Sequence, residues 1–72
     1  ARLAQRLLSR AGDDDTLQTT HQELAAELGT AREVVSRQLK EFEHHGWVRL
    51  FRGRIELGDR QSLRRLCSVN EV

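Results

Sequence analysis

The chain has no proline, one cysteine, one tryptophan and two phenylalanines, and no apolar run longer than three residues. Without proline, helix boundaries must be set by glycines and capping side chains. A lone Cys67 excludes an internal disulfide and fits a reducing compartment. Apolar runs this short cannot span a bilayer. The opening ARLAQRLLSRAG is amphipathic and lacks the long apolar core of a signal peptide. Also missing are a Ser/His/Asp set, a Gly-rich phosphate loop and a metal box. At 72 residues there is room for one small domain. Nearly every large apolar side chain is then needed for the core, which leaves little with which to line an enzymatic cleft. Catalysis and membrane insertion are set aside on these grounds, and a cytoplasmic location is expected. The chain opens inside a helical pattern and without Met, which suggests a piece of a longer protein.

What is present is charge, and it is segregated. Net charge is only +1, with 32% charged residues. Residues 11–30 hold five acids (Asp13, Asp14, Asp15, Glu23, Glu27) and no Lys or Arg. Residues 31–54 hold six bases (Arg32, Arg37, Lys40, Arg49, Arg52, Arg54) against three acids. A local basic excess of this kind points to a polyanion-facing surface.

The expected fold is mainly α with a small β-hairpin. Residues 1–10 carry an apolar stripe of Leu3, Ala4, Leu7 and Leu8 and read as a helix ended by Gly12. Gly-Asp-Asp-Asp reads as a solvated loop, and Leu17 to Thr19 as a short strand. Thr20-His-Gln-Glu23 is a capping box that starts a helix of about two turns with Leu24, Ala25 and Leu28 inside. Gly29 ends it in the left-handed conformation. Thr30-Ala-Arg-Glu33 offers a second cap, with either Thr30 or Ala31 at the N-cap position. The longest helix follows, over about residues 31–45, and Gly46 stops it. Trp47–Phe51 and Arg54–Leu57 alternate around Arg52-Gly53 as a hairpin. Asp59 is placed to cap a last short helix carrying Leu63 and Leu66, with residues 68–72 as a loose tail.

A short helix, a tight turn at Gly29 and a longer basic helix make a helix-turn-helix. At about 100° per residue, Val35, Leu39 and Phe42 share an arc of about 60° that faces the core. Ser36, Lys40, Glu33 and Arg37 share an arc of about 100° on the other side, with Arg32 at its edge in the first turn. That outer face has base-reading chemistry. Arg donates in parallel to O6 and N7 of guanine, and Glu accepts from N4 of cytosine. An acid on a DNA-facing surface repels phosphate, so Glu33 makes sense there chiefly as a reader of cytosine. Ser36 is short enough for close approach and bonds to a base or a phosphate. Thr20, His21 and Gln22 start the first helix, where backbone N–H groups point at an anion. Arg52 and Arg54 form a basic hairpin tip suited equally to the neighbouring backbone and to a plain solvated turn. Thr30, Ala31 and Lys40 complete the set expected on the sugar–phosphate.

Plainer readings stand beside these. Arg32, Glu33 and Arg37 also suit a solvated face with a Glu33–Arg37 pair four residues apart. Trp47 and Phe51 have rings able to stack bases of single strands, though a core this poor in large groups wants Trp47 to pack the hairpin onto the helices. His21, His44, His45 and Cys67 do not have zinc-ligand spacing.

The run ELAAELGTAREVVSRQLKEFEHHGWV resembles the C-terminal DNA-binding domain of the Crp/Fnr family of bacterial transcription regulators. RLAQRLL is similar to the helix that opens that domain, and LFRGRIEL to its wing. The most specific string is Arg32, Glu33, Ser36 and Arg37. The resemblance implies a winged helix-turn-helix with a three-helix core. It implies base contacts from Arg32, Glu33 and Arg37 and, in another branch, from Ser36; with all four present, the branch stays open. Ala31 stands where the family often has Ser or Thr. The implied partner is double-stranded DNA, bound by a full-length homodimer at an inverted repeat with TGA-like half-sites; RNA polymerase is a further implied partner. No cofactor is implied in this domain. An effector, a cyclic nucleotide or another small molecule, belongs to an N-terminal domain outside this chain. The alternative is a winged helix that binds a protein partner and not DNA.

Overall fold

Leu3, Ala4 and Leu7 lie on one stripe of α1 (Arg2–Arg10), and all three are buried. The computed structural model describes residues 2–70. The stripe meets α4 (Arg60–Asn70), which buries Leu63 against it. On its outer side, Arg6 and Arg10 both pair with Glu27 of the next helix. Exposed pairs of this kind contribute little to stability.

The acidic loop after α1 is more than a solvated connection. Asp15 takes a left-handed φ of 59°, which its short polar side chain tolerates. Asp14 Oδ1 accepts from the Thr16 N–H at 3.2 Å. The Asp15 carbonyl accepts from the Leu57 N–H at 2.7 Å, and its carboxylate lies 2.9 Å from Arg60 Nε. Asp14 thus steadies the loop locally, and Asp15 ties it to the sheet and to α4. The short strand β1 is Thr16–Leu17 and not Leu17–Thr19. It adds a third strand to the expected hairpin, with Thr16 opposite Glu56 and Leu17 opposite Ile55.

The capping box forms at α2 (His21–Leu28). The Glu23 N–H donates to Thr20 Oγ1 at 3.1 Å, and the Thr20 N–H donates to Glu23 Oε1 at 3.2 Å. Gly29 adopts φ 70°, and the Thr30 N–H returns to the Ala25 carbonyl at 3.0 Å. That six-to-one bond closes a Schellman motif and turns the chain sharply. α3 (Arg32–His44) follows three residues after α2, with Ala31 as the N-cap, which makes no side-chain capping bond. Leu24 and Ala25 of α2 pack with Val35 and Leu39 of α3 in the buried core. A second Schellman closure ends α3, where the Trp47 N–H bonds the Phe42 carbonyl at 2.9 Å.

β2 (Val48–Phe51) and β3 (Arg54–Leu57) form the wing, in register from Val48↔Leu57 to Phe51↔Arg54. The sheet is antiparallel in the order β1-β3-β2. Val48, Ile55 and Leu57 face the core. Trp47 packs against that core and meets Phe42, ring to ring, at 5.7 Å. Asp59 caps α4, accepting from the Ser62 hydroxyl at 2.7 Å and its N–H at 3.1 Å. These bonds hold the Asp59 carboxyl below its usual range. α4 continues to Asn70, three residues into the stretch expected to be a loose tail; residues 71 and 72 lie outside the described part.

One junction joins these parts. The Trp47 carbonyl accepts from the N–H groups of both Gly58, at 2.8 Å, and Asp59, at 3.1 Å. The backbones approach so closely that a Cβ on Gly58 would sit 2.8 Å from the Gly46 carbonyl oxygen. Gly58→Ala should therefore destabilise the chain by ~1–3 kcal/mol through overpacking, although Gly58 has no left-handed φ. At Gly29 the space is open and the φ alone is strained, so Gly29→Ala should cost ~1–2 kcal/mol. Urea unfolding of both variants checks this; an unchanged midpoint for Gly58→Ala would refute the close contact.

Candidate nucleic-acid interface

Winding α3 against α2 leaves one polar face of α3 outward. Arg32, Glu33, Arg37 and Lys40 are all exposed. Glu33 and Arg37 do not pair with each other, and neither has an ion-pair partner among the described residues. The plain helix-face pair is thus not formed, and both side chains remain available to a ligand. Arg32 also lies outward, beside Gln22 and Thr30, which share one shallow depression with it, Ala25 and Ala26. The small alanines allow the two helices to cross closely there.

Ser36 stands apart from its neighbours. It is half-buried, and its Oγ lies 2.8 Å from Nδ1 of His21 at the start of α2. Burial pushes the His21 imidazole below its usual pKa, and the positive charges of Arg32 and Lys40 push it further the same way. Two positions expected to act separately, one on a base and one on a phosphate, are therefore a bonded pair. Sequence periodicity places Ser36 on the outer arc but does not report a partner 15 residues away.

Thr20, Gln22, Thr30 and Ala31 are exposed at the two helix starts. Ala31 supplies no capping oxygen to the first turn of α3. The positive end of that helix is therefore less neutralised than the boxed end of α2.

The wing tip separates the two arginines. Arg52 is exposed. The Arg54 guanidinium lies over the Phe51 ring at 4.5 Å, and its Nη2 is 3.6 Å from Glu56. Arg54 is thus engaged within the hairpin, whereas Arg52 is the freer cation. Phe51 is exposed and Trp47 half-buried. His45 stacks on Trp47 at 4.5 Å, and His44 meets His45 edge-on. Cys67 is half-buried. Among the described residues, no three His, Cys, Asp or Glu side chains come close enough together to hold a metal. No helix of the described residues is long and apolar enough to cross a membrane.

A residue not singled out in the sequence fixes the wing to α3. Glu43 Oε2 accepts from the Leu50 N–H of β2 at 3.2 Å. The angle between the exposed face of α3 and the wing therefore has a side-chain strut as well as the Trp47 junction. Nothing in local patterning marks Glu43, since it is one exposed acid on an exposed helix face.

Comparison with known proteins matches residues 1–66 to the Crp-like helix-turn-helix domain. The chain is similar to the transcriptional regulator SdrP of Thermus thermophilus, with 40% identity over 51 residues, 71% of this chain and 25% of that protein. It is similar in structure to a transcriptional regulator of the CRP/FNR family from the same organism, at a TM-score of 0.84 and 33% identity, covering 93% of this chain and 39% of that one. It also resembles the Thermus thermophilus catabolite activator protein, at a TM-score of 0.78 and 36% identity, covering 93% of this chain and 31% of that one. The chain thus spans a quarter of the length of the curated relative.

If the Glu43 strut holds the wing, Glu43→Ala should raise the hydrogen-exchange rate of the Leu50 amide about fivefold, the equivalent of ~1 kcal/mol. Amides of α1 should be unaffected. Equal acceleration everywhere would mean global destabilisation and no specific strut.

Proposed function

The chain belongs to the Crp-like helix-turn-helix family, and from that premise we propose that it binds duplex DNA sequence-specifically, with α3 in the major groove, as the DNA-binding part of a transcription regulator. The observation that carries the reading is the outer face of α3, where Glu33 and Arg37 are exposed one turn apart and have no ion-pair partner among the described residues. A helix of 13 residues is about 20 Å long and fits a groove about 12 Å wide. Arg37 and Arg32 donate to guanine, and Glu33 accepts from cytosine. Ser36 contributes a single hydrogen bond at close range.

Around these contacts the backbone is held by sequence-independent groups. Thr20, His21 and Gln22 at the start of α2 take one phosphate, with the helix N–H groups behind them. Thr30, Ala31 and Lys40 line the sugar–phosphate beside α3, and Arg52 of the wing takes the next phosphate. Arg54 supports the wing mainly by lying on Phe51. In the longer protein, two such domains related by twofold symmetry would enter major grooves about 34 Å apart, so the operator is an inverted repeat. Homodimerisation, an effector domain, contact with RNA polymerase and a cytoplasmic location belong to that longer protein and to this proposal.

Selection from a random duplex pool by a dimeric form of the chain should recover an inverted repeat with TGA-like half-sites. Recovery of unrelated sequences, or salt-independent retention, would point to a protein-binding winged helix instead. Arg37→Ala should cost ~1–3 kcal/mol on the recovered site and relax specificity at one base pair. Arg52→Ala should weaken all duplexes alike and flatten the salt slope by about one unit. Arg54→Ala should flatten it less, because Glu56 already lies beside that guanidinium. Equal slopes for the two variants would contradict the division of labour at the wing tip.

A further inference from the structure

Ser36 reaches the outer face of α3 with its hydroxyl already engaged. A hydroxyl has one proton and two lone pairs. Its contact at 2.8 Å is Nδ1 of His21, a nitrogen that accepts or donates according to where the ring carries its protons. When the ring is neutral with its proton on Nε2, Nδ1 accepts the Ser36 proton. The serine then shows only lone pairs to whatever lies in front of it. When the ring is protonated, Nδ1–H donates to Ser36 Oγ, and the serine proton swings outward.

We propose that His21 sets the hydrogen-bond polarity of Ser36, so that one serine accepts from a base when the ring is neutral with its proton on Nε2 and donates to a base when the ring is protonated. The proposal rests on the DNA-binding reading above and adds a specificity-determining residue to it. His21 does this as a positioning residue, through Ser36.

The two states prefer different bases. A serine that only accepts suits the amino groups of cytosine and adenine. A serine that donates suits N7 or O6 of guanine, O4 of thymine, or N7 of adenine. Adenine satisfies both, so the discriminating change is from cytosine towards guanine or thymine.

Burial favours the neutral ring in the free protein, and Arg32 and Lys40 act on it from α3 in the same direction, both unfavourably to a further positive charge. On its own helix, the Glu23 carboxylate is turned back onto the Thr20 N–H in the capping box. A phosphate at the start of α2 would supply the opposite charge and raise the proton affinity of the ring. Binding and protonation are then linked, and the donating state gains weight as pH falls. Ser36 is one helical turn from both Arg32 and Lys40, so the same stretch of helix carries the bonded pair and the charges that bias it.

The test is selection of duplexes by the bead-immobilised chain at about pH 8 and about pH 5.5, on either side of the usual histidine range. One position of the recovered site should change from cytosine or adenine towards guanine, thymine or adenine, by about tenfold in the cytosine-to-guanine ratio. Positions assigned to Arg37 and Glu33 should hold. His21→Asn keeps a polar group near Nδ1 but cannot titrate, and should recover one base at both pH values. Ser36→Ala should lose the preference at that position at both. The ¹⁵N shift of His21 Nδ1 should report an unprotonated nitrogen at the higher pH in the free chain. Identical sites at both pH values from the unaltered chain would overturn the proposal while leaving DNA binding intact. So would a pH-dependent base change that survives in His21→Asn or Ser36→Ala. No enriched sequence at either pH would overturn the DNA-binding reading and this proposal together.

Discussion

The backbone carbonyl of Trp47 is where the domain is joined. It receives the N–H groups of Gly58 and Asp59, while the Trp47 N–H closes the end of α3 on Phe42. One residue thereby fixes three things: where α3 stops, where the wing returns and where α4 starts. Its ring packs against that of Phe42, the one aromatic side chain buried in the described core. Without that junction, the exposed face of α3 and the wing would be two polar surfaces with no fixed relation. The Glu43–Leu50 bond acts in the same sense, but a single exposed side-chain bond is a weaker constraint than a junction of backbone groups.

A chain this short has few ways to specify a fold. Its buried set is mostly leucine, and its ion pairs lie at the surface. Geometry comes instead from helix ends. Two Schellman closures, a capping box and the Asp59–Ser62 cap fix four helix termini. Each is local in sequence and contributes modestly, yet each also sets a direction for the next segment. The start of α3 has no such device, since Ala31 makes no side-chain capping bond. That end lies among the residues proposed to meet the DNA backbone, where an outside anion would take the place of a side-chain cap.

Locality also explains what was legible in advance. The Thr20–Glu23 box, the turn at Gly29, the buried stripe of Val35, Leu39 and Phe42, and the hairpin register are all visible in the sequence because short spacing determines them. The choice between Thr30 and Ala31 as N-cap was not, since both precede the same helix and only backbone dihedrals distinguish them. A short strand is legible beside Leu17, but its bounds are not, since β1 is two residues long, too short for alternation to fix them. Gly58 looks like a pattern break, and only the approach of Gly46 explains it. The acids of the first loop read as solvated because Leu57 and Arg60 are over 40 residues away in the chain. Of the candidate site, the outward residues of α3 were placed by helical arithmetic. The His21–Ser36 bond and the withdrawal of Arg54 onto Phe51 and Glu56 were not, because both depend on what faces what after folding.

Glu43 has one more consequence. β2 lies at the margin of the sheet, and the Leu50 N–H points away from β3, to the Glu43 carboxylate of α3. Such a donor invites the strand of a neighbouring molecule to extend the sheet, the first step of edge-to-edge aggregation. The Glu43 carboxylate occupies it and places a negative charge where an incoming carbonyl would dock. At the opposite margin, β1 offers only two residues to a would-be partner. The same bond that joins the wing to α3 therefore also leaves that edge donor occupied.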